Sequence, residues 1–269
     1  MAGETVKSEA ICLKITPWSR TSHIVHWLTP HGKIATVVKG AVRPKSFFLG
    51  QYDLNYTCEI VYYLNGHGDL HPLRECYPLA LREPLRSSFR LLLLADHSRR
   101  LVAELAPFGP DAKSWFSLLS SFLDTLSTKG TVPHDFAQSN NRTIEQSKST
   151  GTVPEISMGT VPEISHRLMR MLIKFELKLL ELSGLRPDIE AQSGTFALRG
   201  ERKLPISFAA AQLLRAPDSA TTAVALAEAT RALGIFESFH LDQPLEPRRI
   251  LITALSPNPY PPVSPRSAG

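Results

Sequence analysis

Cysteine is scarce in this chain. Three residues, Cys12, Cys58 and Cys76, stand among 269, an odd and widely spaced set that does not make the framework of a disulfide-stapled secreted domain. A reducing compartment fits better. Long apolar runs are missing as well: the longest strongly apolar stretch, Leu91 to Ala95, falls far short of the roughly 20 residues that cross a bilayer. The first residues carry Glu4 and Glu9 without an apolar core, which is not the form of a secretory signal. The expectation is a soluble cytoplasmic protein with no membrane partner.

Catalytic strings are missing too. Gly66, Gly68 and Gly200 are not arranged as a phosphate-binding loop, and the chain contains no GxGxxG or GxxxxGK(S/T) string, which argues against a nucleotide cradle of that kind. It has no GxSxG nucleophile elbow and no HExxH pair, the signatures of a hydrolase serine and of a helical zinc site. His67, His71, Cys58 and Cys76 offer one close pair only, whereas a structural zinc site brings close pairs together on tight turns. They are expected to be ordinary strand and loop residues, in a protein that is not an enzyme and carries no metal or cofactor.

One further absence is local. Between Ala10 and Tyr52 there is no Asp or Glu, and six basic residues, Lys14, Arg20, Lys33, Lys39, Arg43 and Lys45, stand there with His23, His26 and His31. Over the whole chain, 30 Lys and Arg against 25 acids give a net charge of +5, a mild bias. Its concentration in one segment is what points to a phosphate backbone.

What is present divides the chain by period. Residues 10–16, 23–29 and 33–40 are short, rich in β-branched or aromatic residues and separated by turn formers, so they read as strands. Residues 47–66 carry alternating bulky residues, and 67–76 read as irregular or weakly extended. Four or five locally connected strands within about 75 residues make a small barrel. On such a barrel Lys33 and Lys39, six apart, project to one side if the strand between is regular. Trp18, Trp27, Phe47, Phe48 and Tyr52 stand close enough in sequence to offer stacking surfaces. Trp27 is expected in the core, while Trp18 and Phe47 flank turns and are the candidates for base stacking.

After Pro84 the period changes to that of helices. Residues 85–105 place apolar side chains at 85, 89, 92, 101 and 105, and Asp111 stands as an N-cap before a second helix whose face is Trp115, Leu118, Leu119, Phe122 and Leu126. Residues 127–165 contain the tandem octamers GTVPEISM and GTVPEISH with few large apolar residues, and are expected to be a flexible inserted linker. The strongest helix is 166–184, with a stripe at Leu168, Leu172, Phe175, Leu179 and Leu182. A short hairpin within 194–207 and two more helices follow, and 257–269 read as a frayed tail. The resulting class is α+β: a barrel over 1–80, then a mostly helical domain over 81–256.

The run AICLKITPWSRTSHIVHWLTPHGKIATVVKGAVRPKS, with FELKLLELSGLRPDI at 175–189, resembles the bacterial recombination mediator and DNA repair protein RecO family. The resemblance is specific at 10–46 and 175–189 and diffuse over 80–126 and 205–250. It implies an N-terminal OB-fold barrel followed by a helical domain, with no nucleotide-hydrolysing site. It further implies binding of single- and double-stranded DNA, annealing of complementary strands, and work with RecR to load RecA onto strands coated by the single-stranded DNA-binding protein SSB. Carried over by position, Lys33, Lys39, Arg43 and Lys45 match the basic barrel stretch and, with Lys14 and Arg20, are the expected DNA-binding residues. In the helical domain Arg170, Lys174 and Lys178 are the candidates for holding the acidic C-terminal tail of SSB. Many members carry a four-cysteine zinc module after the LSG helix end; here 185–206 contain no cysteine. Two other readings remain. A protein-interaction scaffold would show no DNA affinity, and an RNA-binding OB-fold protein would prefer RNA through contacts to the 2′-hydroxyl.

Overall fold

Thirteen residues at the start of the fold set its closure. The computed structural model describes residues 4–66, 68–107, 112–129, 161–190, 195–199, 202–241 and 246–255. Strand β1 (Thr5–Pro17) is long enough to have two partners. Its first half, Thr5 to Ile11, pairs antiparallel with β4 (Thr57–Tyr63), and its second half with β2 (His23–Thr29). The β2 register slips between Cys12 and Lys14, an irregularity of the kind that bends a strand around a barrel corner. With β3 (Gly32–Val38) and β5 (Leu70–Ala80) the sheet closes in the order β1-β2-β3-β5-β4, the five-stranded barrel expected from the strand spacing.

Strand β5 corrects the reading of 67–76 as irregular or weakly extended. Pro72 and Pro78 weaken its sequence signal, yet it pairs antiparallel with β4 along one edge and parallel with β3 at Leu70, His71 and Pro72 on the other. Partners on both sides hold what the local sequence leaves weak. His67 lies outside the described residues. Cys12, Cys58 and Cys76 are buried free thiols in the barrel core with Val25, Val38 and Ile60. Trp27 is fully buried there, and its indole N–H donates to Thr36 Oγ1 at 2.8 Å, so the ring is buried without an orphaned donor.

A short 3-10 turn (Glu83–Ser87) leads into α1 (Phe89–Leu105) and α2 (Lys113–Lys129). The apolar face of α1 differs from the expected one: Leu91, Leu94, Ala95, Leu101 and Val102 are buried, whereas Phe89 is 65% exposed and Leu92 is also exposed. The run of four leucines offers more than one apolar face, and packing selects among them. The α2 face is as expected, with Leu118 only partly buried. Asp111 lies outside the described residues.

Helix α3 (Val161–Leu182) begins five residues before the expected start and α2 continues to Lys129, so both described ends of the expected 127–165 linker are helical. Residues 130–160, with most of the tandem repeat, and the 257–269 tail lie outside the described residues. Strands β6 (Ile189–Glu190), β7 (Thr195–Arg199) and β8 (Arg202–Pro205) form a small sheet, adding one strand to the expected hairpin. Helices α4 (Phe208–Arg215) and α5 (Ala223–His240) are capped by Ser207 and Thr222 side chains. A sixth helix, α6 (Glu246–Leu255), was not expected from the sequence.

The barrel keeps a core of its own, and one side of it joins the core of the helices. Ile11, Leu13 and Leu28 cluster with the buried leucines of α1 to α3. Polar grips run across the same seam: Lys33 Nζ donates to the Ala103 carbonyl at 2.8 Å, and Arg99 donates to the Leu13 carbonyl. Arg82 donates to the Asn55 carbonyl at 2.7 Å and to Asp124 at 2.8 Å. Asn55 and Arg82 are the two non-glycine residues with left-handed backbone among those described, at φ 67° and 51°, so the two locally unfavourable conformations brace each other.

Candidate nucleic-acid interface

Two turns at one end of the barrel are stitched together. In the β1–β2 turn the Trp18 N–H donates to the Ser22 carbonyl at 2.9 Å. The turn leaving β3 passes through Gly40 at φ 68°, and the Arg43 N–H donates back to the Gly40 carbonyl at 3.2 Å. Between the turns, Gly40 N–H donates to Ser22 Oγ at 3.2 Å and Val42 N–H to the Thr21 carbonyl at 3.3 Å. Gly40 matters twice. Its backbone is in the region that favours glycine, and a Cβ there would stand 3.3 Å from Arg43 Cδ, so the arginine stem lies over it.

The product is a pocket of about 480 Å³ whose walls include Trp18, Ser19, Thr21, Lys39, Gly40 and Arg43. Trp18 is 62% exposed. No acidic residue lines it. Among the described residues, no carboxylate pairs with Lys14, Arg20, Lys39, Arg43 or Lys45, although Lys7, Arg74, Arg86 and Arg100 each hold one within 3.2 Å. The acid-free run in the sequence therefore leaves a set of surface cations without internal counter-charges.

The six expected DNA-binding residues do not all meet. Lys39 and Arg43 share the pocket with Trp18, and Arg20 and Lys45 are exposed in the flanking turns. Lys33 is different: it is half-buried against α1, and burial lowers its pKa while Glu104 opposes the shift. The expectation that Lys33 and Lys39 project to one side of a regular strand is corrected, because β3 ends at Val38. Lys14 pairs across the sheet with His26, whose imidazole is held below its ordinary value by burial, then by Lys14 and Lys33. Phe47 is 95% exposed on the long β3–β4 connection and does not line the pocket. Phe48 and Tyr52 pack on the barrel core instead, with Tyr52 Oη and His23 Nδ1 2.8 Å apart.

On α3, each of the three expected tail-binding cations already has a partner. Lys174 pairs with Asp218, Lys178 with Glu181 at 3.1 Å, and Arg170 donates to the carbonyls of Pro217 and Ser219 at 2.9 and 2.6 Å. Lys174 and Lys178 line a groove of about 380 Å³ with Arg186, Leu214, Arg215 and Pro217. Arg170 stands outside the lining and braces the segment that forms its wall.

A buried polar cluster was not legible in the sequence. His97 Nε2 lies 2.9 Å from Glu176 Oε1, and Arg248 donates to Glu176 Oε2 at 2.7 Å and to Glu237 Oε2 at 2.8 Å. Four helices, α1, α3, α5 and α6, contribute one residue each. The His97 and two glutamate ligand atoms lie within 4.8 Å of one another, a donor set a divalent ion could use. The Arg248 guanidinium, however, already supplies the cation between the carboxylates. Burial, with Glu176 beside it, pushes the Glu237 carboxyl up to about 7, and burial holds the His97 imidazole down at about 4. The one available signal was Glu176, a lone acid amid the apolar positions of the strongest helix.

No curated protein matches the chain. Residues 1–82 match the family model described as Recombination protein O N terminal. The span takes in all five barrel strands and ends at Arg82, the residue whose guanidinium ties the barrel to the helices. The barrel bearing the Trp18, Lys39 and Arg43 pocket is therefore the part of the chain that resembles the N-terminal region of recombination protein O.

Proposed function

We propose that this protein is a DNA repair and recombination mediator that binds single- and double-stranded DNA on its barrel, anneals complementary strands, and helps load RecA onto SSB-coated strands together with RecR. The observation that carries this reading is the group of unpaired cations around one concave end of a barrel matched to that family. Phosphate neutralisation by Lys39, Arg43 and their neighbours gives sequence-independent affinity and lowers the repulsion between two strands. Annealing needs no acid, base or nucleophile, so the chemistry is electrostatic and positional. The groove between α3 and α4 supports a second contact. An acidic peptide can exchange for Asp218 at Lys174 and for Glu181 at Lys178, since exposed pairs of this kind are worth only about 0–1 kcal/mol.

Fluorescence anisotropy with labelled single-stranded DNA across a salt titration, repeated on SSB-coated DNA, tests the proposal. Binding should fall steeply with salt and persist on the coated strand. No binding to bare DNA even at low salt would remove the barrel from this role and leave the protein-scaffold reading. A marked preference for RNA of the same sequence would favour the RNA-binding reading.

A further inference from the structure

Resting on the nucleic-acid reading above, we propose that the Trp18, Lys39 and Arg43 pocket is a subsite for one strand-terminal nucleotide bearing a phosphate monoester. Size comes first. A concavity of about 480 Å³ lies at the lower end of the range for small-ligand sites, about 300–1,000 Å³, and suits a single nucleotide better than a tract. An extended strand is ordinarily followed by cations spaced along a groove, with successive bases stacked on successive rings. Here one exposed ring and two cations line a single pocket, and the more exposed ring of Phe47 is not part of it.

Charge supplies the second step. A phosphodiester carries one negative charge, whereas a phosphate monoester carries about −1.5 to −2 near neutral pH. Lys39 and Arg43 come from the same turn, the Arg43 stem lies over Gly40, and neither is paired to a carboxylate among the described residues. Two cations at one place match a monoester more closely than a diester. The hydroxyls of Ser19 and Thr21 in the same wall can donate to further phosphate oxygens, and Trp18 offers a face to the terminal base, which lacks a neighbour on one side.

The test is competition against a labelled strand by hexanucleotides of one sequence with a 5′-hydroxyl, a 5′-phosphate or a 3′-phosphate, using the full chain at fixed salt. One phosphorylated end should bind about fivefold tighter than the hydroxyl form, the order of gain from one further surface charge pair. Its identity gives the polarity of the bound strand. Lys39→Gln should lower the affinity for all three hexamers and Trp18→Ala should weaken the terminal contact, and in both the ratio of phosphorylated to hydroxyl affinity should fall to about one. Equal affinity for all three hexamers would overturn the subsite and leave the DNA reading standing. A preference that survives in both variants would place the monoester elsewhere and overturn it as well. Failure of every oligonucleotide to bind at low salt would overturn the subsite and the DNA reading together.

Discussion

Lys39 and Arg43 flank a left-handed glycine, and that local geometry concentrates their charge. Reversing both, Lys39→Glu with Arg43→Glu, should weaken DNA binding by a similar factor for every sequence. It should also reduce the slope of log K against log salt by about two, close to one unit for each phosphate no longer neutralised. An unchanged slope in the salt titration would mean these residues do not touch phosphate. Gly234 makes a different kind of demand. A Cβ there would meet Arg248 Nη1 at 2.6 Å, and that guanidinium is locked in two buried ion pairs. Gly234→Ala gains about 1 kcal/mol of helix propensity, but the displaced arginine should cost more, for a net loss of about 1–3 kcal/mol. Urea denaturation measures the sign directly.

Helix α6 is held through Arg248, with Leu251 and Leu255 buried alongside. Arg248→Met would leave two buried carboxylates without their cation, a change expected to cost about 3–5 kcal/mol. The pH profile carries a finer signature. Glu237 titrates near 7 against an ordinary 4.5, so the stability it carries is complete below 4.5 and is lost as pH rises through 7. His97 titrates near 4 against an ordinary 6.5, so its share is complete above 6.5 and is lost as pH falls through 4. Between 4.5 and 6.5 the two slopes oppose. Glu237→Gln should therefore gain stability with pH across that window more steeply than the wild type, read as urea midpoints; a shallower rise would mean Glu237 is ionised throughout. On the neighbouring groove, Lys174→Glu should weaken an SSB-tail peptide in calorimetry and leave free DNA binding largely intact.

These elements were unevenly legible. Strands β2 and β3 and the stripe of α3 could be read because alternation or helical spacing coincides with burial. The residues of the pocket could be named for the same reason: an acid-free basic run is a linear feature. Their division could not be, since Lys33 reaches α1 and Lys39 comes to line one pocket with Trp18 only after the barrel closes. Strand β5 was obscured by two prolines that its neighbours tolerate. Helix α6 and the Glu176 cluster were hidden because a buried charge is justified by partners far away in sequence, His97 and Arg248 among them.

At the scale of the molecule, the seam decides how the protein comes apart. Ile11, Leu13 and Leu28 belong to the helical core, and Arg82 and Arg99 fix barrel carbonyls from the helical side. Barrel and helices should unfold as one cooperative unit. The three thiols make that measurable. Cys12, Cys58 and Cys76 sit inside the barrel, with burial pushing the Cys12 thiol up and a hydrogen bond with Cys58, then burial, pushing up that of Cys76. Their reaction with a colorimetric thiol reagent should begin at the same urea concentration at which helical circular dichroism disappears. Labelling that runs ahead of the dichroism would show the barrel opening alone. The same burial has a practical side: the native molecule should be silent toward maleimides, so one cysteine introduced beside Phe47 would carry a fluorophore at a single known place, with no native cysteine to remove first.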